Sequence, residues 1–381
     1  MPGDAEYRDA LPSGAVRGRG AGLAPGNRFE SVRLHVLGEA LDDELREHPC
    51  GKQVRTEVLP DHARSVINRV DSDDLNFNWT FNPYRGCEHG CIYCYARPTH
   101  ENLGYSSGLD FETKILAKLD APELLARELT RPKWQGDSIM VSGVTDPYQP
   151  TEAKLKLMRA CLDVFAERRQ PISIVTKNHL VTRDLDLLQA LAHDNAVSVA
   201  VSITTLDKSL AAKMEPRASS PADRLRTVRE LNEAGVPVGV MMAPVIPGLT
   251  DHEIPRVLEA AADAGARCAS WVMLRLPHQV KALFLEWVAR HYPDRAAMVE
   301  QRIRDMRDGE LYDSTFRVRQ RGRGERAAQV KQSFDLFARR FGLDGQWPKH
   351  SNAAFLERKA EFIESEKERN ENQLRLFSKR S

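Results

Sequence analysis

Three cysteines, Cys87, Cys91 and Cys94, fall within the run NPYRGCEHGCIYCYARP, residues 82–98. Thiolates at this C-x3-C-x2-C spacing can wrap one compact soft-metal site from a single loop, and they suit zinc or an iron–sulfur cluster. A closed structural zinc site takes four protein ligands, so zinc requires a further donor, with His89 or His100 the candidates. His89 lies inside the loop between two of the cysteines, where its ring has difficulty reaching the same ion. A cubane cluster on three cysteines instead leaves one iron open to another ligand, which turns a structural staple into a reaction centre. The spacing alone admits both.

The other three cysteines add nothing to this group. Cys161 follows Leu157 by four residues in LKLMRACLDVF, a core-facing helical spacing. Cys268 opens an apolar run that closes at Arg275, about 23 Å further along at roughly 3.3 Å per residue, so it belongs to the core. Cys50, in EHPCGKQV, falls outside any motif. Six cysteines with half of them clustered are no disulfide framework; they point to metal or redox chemistry in a reducing, cytoplasmic setting. Lys and Arg total 55 against 54 Asp and Glu, so no global polyanion-binding character follows and any basic patch is local. No apolar run approaches the roughly 18 residues of a membrane span, and the N-terminus lacks an apolar signal core.

Elements that could position the cysteines recur along the chain. TFNPYRGC and the runs 138–144, 172–176, 196–204, 236–245 and 267–276 are short, apolar and nearly continuous, as parallel strands buried on both faces are. Helical patterns lie between them at 121–130, 151–169, 182–193, 221–234 and 251–264. Six βα units predict an α/β protein, either a barrel or a doubly wound sheet. Polar residues gather where the strands finish: Cys87, Thr145 with Asp146, Lys177, Ser202, the segment PVIPGLTD and Arg275. That is the face on which parallel barrels build their sites. The expected organisation is a disordered leader at 1–30, an N-terminal extension at 31–79 and the barrel at 80–290. A basic helical extension at 291–348 and a charged helical tail at 349–381 follow. The basic extension carries Arg317, Arg319, Arg321, Arg323, Arg326, Lys331, Arg339 and Arg340 against Glu325 and Asp335. Such a stretch engages phosphates, unless it forms a solvated face or pairs with acidic helices.

C-x3-C-aromatic-C, with Tyr93 as the aromatic, resembles the signature of the radical S-adenosylmethionine (radical SAM) enzymes. GVTDPYQPTE, IVTKNHL and VSITT resemble segments of spore photoproduct lyase and its relatives. The resemblance spans roughly residues 80–280 and implies a partial (β/α)6 TIM-type barrel with N- and C-terminal extensions. It implies a 4Fe–4S cluster on Cys87, Cys91 and Cys94, with S-adenosylmethionine chelated to the open iron. Reductive cleavage to a 5′-deoxyadenosyl radical and hydrogen abstraction from a substrate would follow, fed by a partner such as flavodoxin or ferredoxin. Carried over by motif, Lys177 and Ser202 would contact the methionine carboxylate. Thr145 and Asp146 would meet the amino group or ribose, the Tyr93 backbone the adenine, and VIPGLTD the adenine side. Asp146 stands where many members have glutamate.

The same resemblance implies nucleic acid as substrate, in the manner of a lesion-repair lyase. A protein side chain or small metabolite is the alternative, and a zinc-stapled, non-catalytic nucleic-acid-binding protein is the reading from another class. Spore photoproduct lyase returns hydrogen from a cysteine; Cys268 is the tempting counterpart but reads as core, so no thiol donor stands out, and Tyr95, Tyr105 or Tyr148 could serve instead, with nothing in the sequence to select one. QLRLF, Gln373 to Phe377, resembles the peptide with which bacterial repair and replication proteins dock onto the sliding clamp.

Overall fold

The computed structural model describes residues 7–8, 16–23, 25–29, 36–37 and 53–378. Cys50 lies outside them, as do the side chains of Gln373 to Phe377, whose backbone continues the helix Ala353–Ser378.

Six parallel strands form the centre: Trp79–Phe81, Ile139–Val141, Ile172–Thr176, Val197–Ser202, Val238–Val245 and Ala269–Met273. They lie side by side in chain order, with registers such as Trp79 opposite Ile139, Val197 opposite Ile172 and Val199 opposite Val238. A doubly wound sheet reverses its strand order at a switch point; this one does not, so the units form a partial barrel. Among the described residues the first and sixth strands do not pair, and Ile67–Arg69 adds an antiparallel seventh strand outside the first. Every residue of Val197–Ser202 is buried, as a continuous Val and Ala run covered on both faces requires.

The expected first strand, TFNPYRGC, divides. Trp79–Phe81 belongs to the barrel, whereas Tyr84–Arg85 joins Lys114–Ala117 and Glu57–Pro60 in a small separate sheet. Pro83 between them has no N–H to continue the ladder. The expected helix at 151–169 also divides, into Glu152–Leu155 and Leu157–Glu167, because Lys156 takes a positive φ of 53°.

Both extensions make contacts with the rest of the described chain. Composition marks 1–30 as disordered, yet Val16, Arg19 and Ala21 are buried and the described residues 16–23 lie on the cysteine loop. Backbone hydrogen bonds to one buried carboxylate hold them there, a signal that composition does not carry. In the basic extension most charges find partners in the protein. Arg319 pairs with Asp74, Arg323 with Asp308 and Asp313, Arg326 with Asp305, and Lys331 with Asp335. Arg321 lies over the Trp271 ring at 4.3 Å and donates to the Trp271 carbonyl. Arg317, Arg339 and Arg340 have no carboxylate partner among the described residues. The tail helix Ala353–Ser378 is seated at its start, where Phe355 is buried and Lys359 Nζ donates to the carbonyls of Arg131 and Trp134. No described helix is long and apolar enough to cross a membrane.

Candidate active site at the strand ends

The loop that carries the cysteines is held from below by one buried ion pair. Arg97 Nε donates to the Cys91 carbonyl at 3.0 Å, Nη2 to the Gly90 carbonyl at 3.3 Å, and the guanidinium pairs with Glu112 at 2.5 Å. Neither side chain meets solvent. Glu112 in turn accepts from the backbone N–H of Gly20 at 3.0 Å and of Ala21 at 2.8 Å. Segment 16–23 therefore clasps the loop. Cys87 and Cys91 are buried, Cys94 is half-buried, and all are free thiols.

Burial, then the charge of Asp146 and the two neighbouring cysteines, pushes the Cys87 thiol up; burial and then Glu215 does the same to Cys91, and burial to Cys94. Thiols placed like this ionise against positive charge, which a metal centre would supply. By donor chemistry three cysteine sulfurs suit an iron–sulfur cluster, although among the described residues no three His, Cys, Asp or Glu side chains are grouped as a metal site. Of the two proposed fourth ligands for a single zinc ion, His89 is committed through Nδ1 to Asp146 at 3.3 Å and through Nε2 to Asn178 at 3.2 Å. His100 packs between the rings of Tyr105 and Phe111, at 5.4 and 5.5 Å, and neither of its ring nitrogens has a hydrogen-bond partner among the described residues.

Lys177 and Ser202, at the ends of adjacent strands, meet as the strand register requires. Lys177 Nζ donates to Ser202 Oγ at 2.5 Å and to the Ala243 carbonyl at 3.1 Å, and it stands 3.6 Å from Glu215 Oε1. Its ammonium is 5.8 Å from the Tyr93 ring centre. The Tyr93 hydroxyl bonds Glu215, whose other oxygen pairs with the buried Arg224. Burial alone would raise the Glu215 carboxyl, but Arg224 and Lys177 outweigh it and hold it down at about 2. Neither Glu215 nor Arg224 was singled out by the sequence. Their pairing crosses from a helix end to the next helix, and no local spacing signals it.

Thr145 and Asp146 brace the site from inside. Thr145 Oγ1 donates to the Gly86 carbonyl at 2.6 Å. Asp146 accepts from Thr176 Oγ1, from the Tyr148 amide and from the Lys177 amide at 2.8 to 2.9 Å, besides its contact with His89. Both carboxylate oxygens thus have protein partners. Burial tends to raise this carboxyl, yet His89 and the two amides keep it below its ordinary value.

At the rim, exposed Tyr95 donates to the Gly143 carbonyl at 2.8 Å, and the Arg275 guanidinium lies 4.8 Å from its ring centre. Arg275 forms no ion pair among the described residues, and its Nε has no partner there. Of the three candidate tyrosines, Tyr95 is the exposed one beside the cysteines, while Tyr148 is fully buried. Cys161 is core, and Cys268 packs against Gly239 and Trp347 at the opposite end of the barrel.

A barrel of sequential parallel strands with a three-cysteine loop after the first defines the class. The family profile of the radical SAM superfamily matches residues 81–261. The chain belongs to that superfamily and is a radical SAM enzyme, a family that works with a 4Fe–4S cluster and S-adenosylmethionine. It is 37% identical to an uncharacterised Mycobacterium tuberculosis protein, over 61% of this chain and 69% of that one. It is 26% identical to the radical SAM Nalpha-GlyT isomerase of Pseudomonas phage M6, over 48% of this chain and 36% of the isomerase. Among solved structures, a spore photoproduct lyase variant superposes with a TM-score of 0.52 at 17% identity, covering 80% of this chain and 92% of the lyase.

Proposed function

We propose that Cys87, Cys91 and Cys94 hold the 4Fe–4S cluster, that Lys177 and Ser202 receive the carboxylate of S-adenosylmethionine, and that the substrate is a nucleic acid. The cysteine loop and the Lys177–Ser202 pair converge on one carboxylate, Glu215, and this observation carries the reading of the cofactor site. When bound, the cluster and S-adenosylmethionine supply a 5′-deoxyadenosyl radical. The chain's own part is to bind, orient and shield. Lys177 offers a cation beside a hydroxyl donor, Arg97 with Glu112 fixes the loop, and segment 16–23 packs against it. Thr145 and Asp146, already bonded within the protein, are proposed to set the backbone around the amino group and ribose, and the Tyr93 backbone to meet the adenine. Three free thiols suit a reducing compartment such as the cytoplasm, and the enzyme needs an electron donor of the flavodoxin or ferredoxin kind.

For the substrate, the support is a cation stacked on an exposed aromatic ring, Arg275 on Tyr95, which suits a phosphate beside a base. A named neighbour, spore photoproduct lyase complexed with dinucleoside spore photoproduct, points the same way. The internal pairing of the basic extension favours the alternative, a protein side chain or small metabolite, since it leaves 317–340 few free cations. The C-terminal QLRLF, proposed as a clamp-docking peptide, would bring the enzyme to replicating DNA; a peptide of residues 368–381 should bind purified sliding clamp, and no affinity would remove that link.

One experiment tests the chemistry. Protein reconstituted anaerobically with iron and sulfide, then given dithionite and S-adenosylmethionine, should release 5′-deoxyadenosine. Cys91→Ala should lose both iron and product, whereas Cys161→Ala should keep both. A colourless protein with stoichiometric zinc would sink the proposal.

A further inference from the structure

The reach of Lys177 is set by residues that no motif names. Its ammonium has three hydrogens, and the structure gives each a direction: Ser202 Oγ, the Ala243 carbonyl and Glu215. The Glu215 contact, at 3.6 Å, is the longest, so that hydrogen can turn to an incoming anion while the other two keep the side chain in place. Glu215 is buried at the end of the helix Lys208–Met214 and gathers Tyr93, Thr204, Arg224 and Lys177 around its two oxygens. Arg224 also donates to the Ser202 carbonyl at 3.0 Å and the Ser219 carbonyl at 2.8 Å. It therefore braces the strand end, and its burial keeps it away from a ligand. Two cations, buried Arg224 and part-buried Lys177, face one carboxylate, which leaves a single net positive charge. That charge sits on Lys177, the less buried of the two.

We infer that Glu215 is a positioning residue for cofactor capture, acting through Lys177 on one side and through Tyr93 on the cysteine loop on the other. The inference rests on the reading that Lys177 receives the cofactor carboxylate. Tyr93 lies between Cys91 and Cys94, so a bond from its hydroxyl to Glu215 ties the loop to the same atom group that steers the lysine. A ligand that must reach both at once needs their separation held. Without Glu215, Arg224 and Lys177 would confront each other with no anion between them, an arrangement that drives the ammonium out of its cradle.

The test is a double-mutant cycle on the reconstituted full-length enzyme, read as iron per chain and as the dissociation constant for S-adenosylmethionine. Glu215→Gln should retain iron and bind S-adenosylmethionine about tenfold more weakly. In a Lys177→Met background the same change should cost less than about twofold, because the residue it acts through is gone. If Lys177→Met alone leaves affinity unchanged, the underlying reading of Lys177 fails. If Lys177→Met weakens binding but Glu215→Gln does not, or if the two losses multiply, the inference about Glu215 fails. Should Glu215→Gln not fold, Tyr93→Phe decides: weaker binding at unchanged iron supports the coupling, and unchanged binding overturns it.

Discussion

Asp74, in the loop after the antiparallel edge strand, pairs with Arg319 of the C-terminal extension, and the pair bridges the two unpaired edges of the barrel. Arg319 also donates to Ser72 Oγ at 2.9 Å, while Arg321 next to it donates to the carbonyl of Trp271 in the sixth strand at 2.8 Å. Buried Arg307 fastens the same segment to the end of that strand, reaching the carbonyls of Leu274 and Arg319. The arginines of this stretch thus act as a strap across the open flank.

The Asp74 carboxylate is 1% exposed, so removing its partner strands a buried charge. Arg319→Ala should lower the unfolding free energy by on the order of 3 kcal/mol, and Arg339→Ala by less than about 0.5 kcal/mol. Denaturant titration of both variants measures this. Equal midpoints would mean that the strap does not hold in solution.

Gly20 offers a second handle. A Cβ there would stand 1.8 Å from the Gly90 carbonyl oxygen in the cysteine loop, so no side chain fits. Gly20→Ala should push segment 16–23 off the loop and expose the cluster. Loss of iron–sulfur absorbance in air should then run several-fold faster than in the parent enzyme. Gly26→Ala is the control, since nothing lies within 4 Å of its Cβ position. Equal rates for the two variants would show that the segment shields nothing.

How much of this was legible depends on the range of the interaction. The parallel strands are written as local Val and Ile runs, and Lys177 and Ser202 each end one, so their meeting follows from parallel register. The cysteine loop is equally local. Arg97 with Glu112, and Glu215 with Arg224, are buried pairs whose partners come from different elements, and charged residues at such positions look like surface. Segment 16–23 has the glycine and arginine content of a disordered leader, and only the carboxylate that receives its amides shows otherwise. The basic stretch differs: Asp305, Asp308, Asp313 and Asp335 lie in or near it in sequence, and Asp74 alone comes from far along the chain.

Three histidines make the fold acid-sensitive. Burial lowers His100, His291 and His350 from 6.5 to about 4. Their folded values lie below the unfolded one, so the unfolded chain takes up protons first as pH falls. Their stabilisation is complete above pH 6.5 and is lost as pH drops towards 4. Half-buried His291 contributes least, since water screens it. His350 bridges Ser138 and Ser198 at 2.8 and 3.0 Å, at the end of the barrel away from the cysteines. His350→Gln keeps hydrogen-bonding capacity and does not titrate, so its stability should fall by on the order of 2 kcal/mol less than the parent's across this window. Parallel pH profiles for the two proteins would refute the assignment.

Arg275 is the cation that the rim leaves without a carboxylate partner among the described residues, and it lies on the ring of Tyr95 beside Cys94. A guanidinium over an aromatic face can hold a phosphate while the ring receives a base. If the substrate is a nucleic acid, binding measured against salt concentration should show counterion release, and Arg275→Met should lower the slope of log affinity against log salt by roughly one. Arg319→Ala and Arg326→Ala should leave that slope unchanged, because both arginines are engaged by Asp74 and Asp305. Release of 5′-deoxyadenosine without substrate should be unaffected by Arg275→Met, since no contact joins Arg275 to Lys177 or Ser202. A slope that responds to the strap arginines but not to Arg275 would move the nucleic-acid surface to the extension. No salt dependence in any variant would favour a protein or small-metabolite substrate.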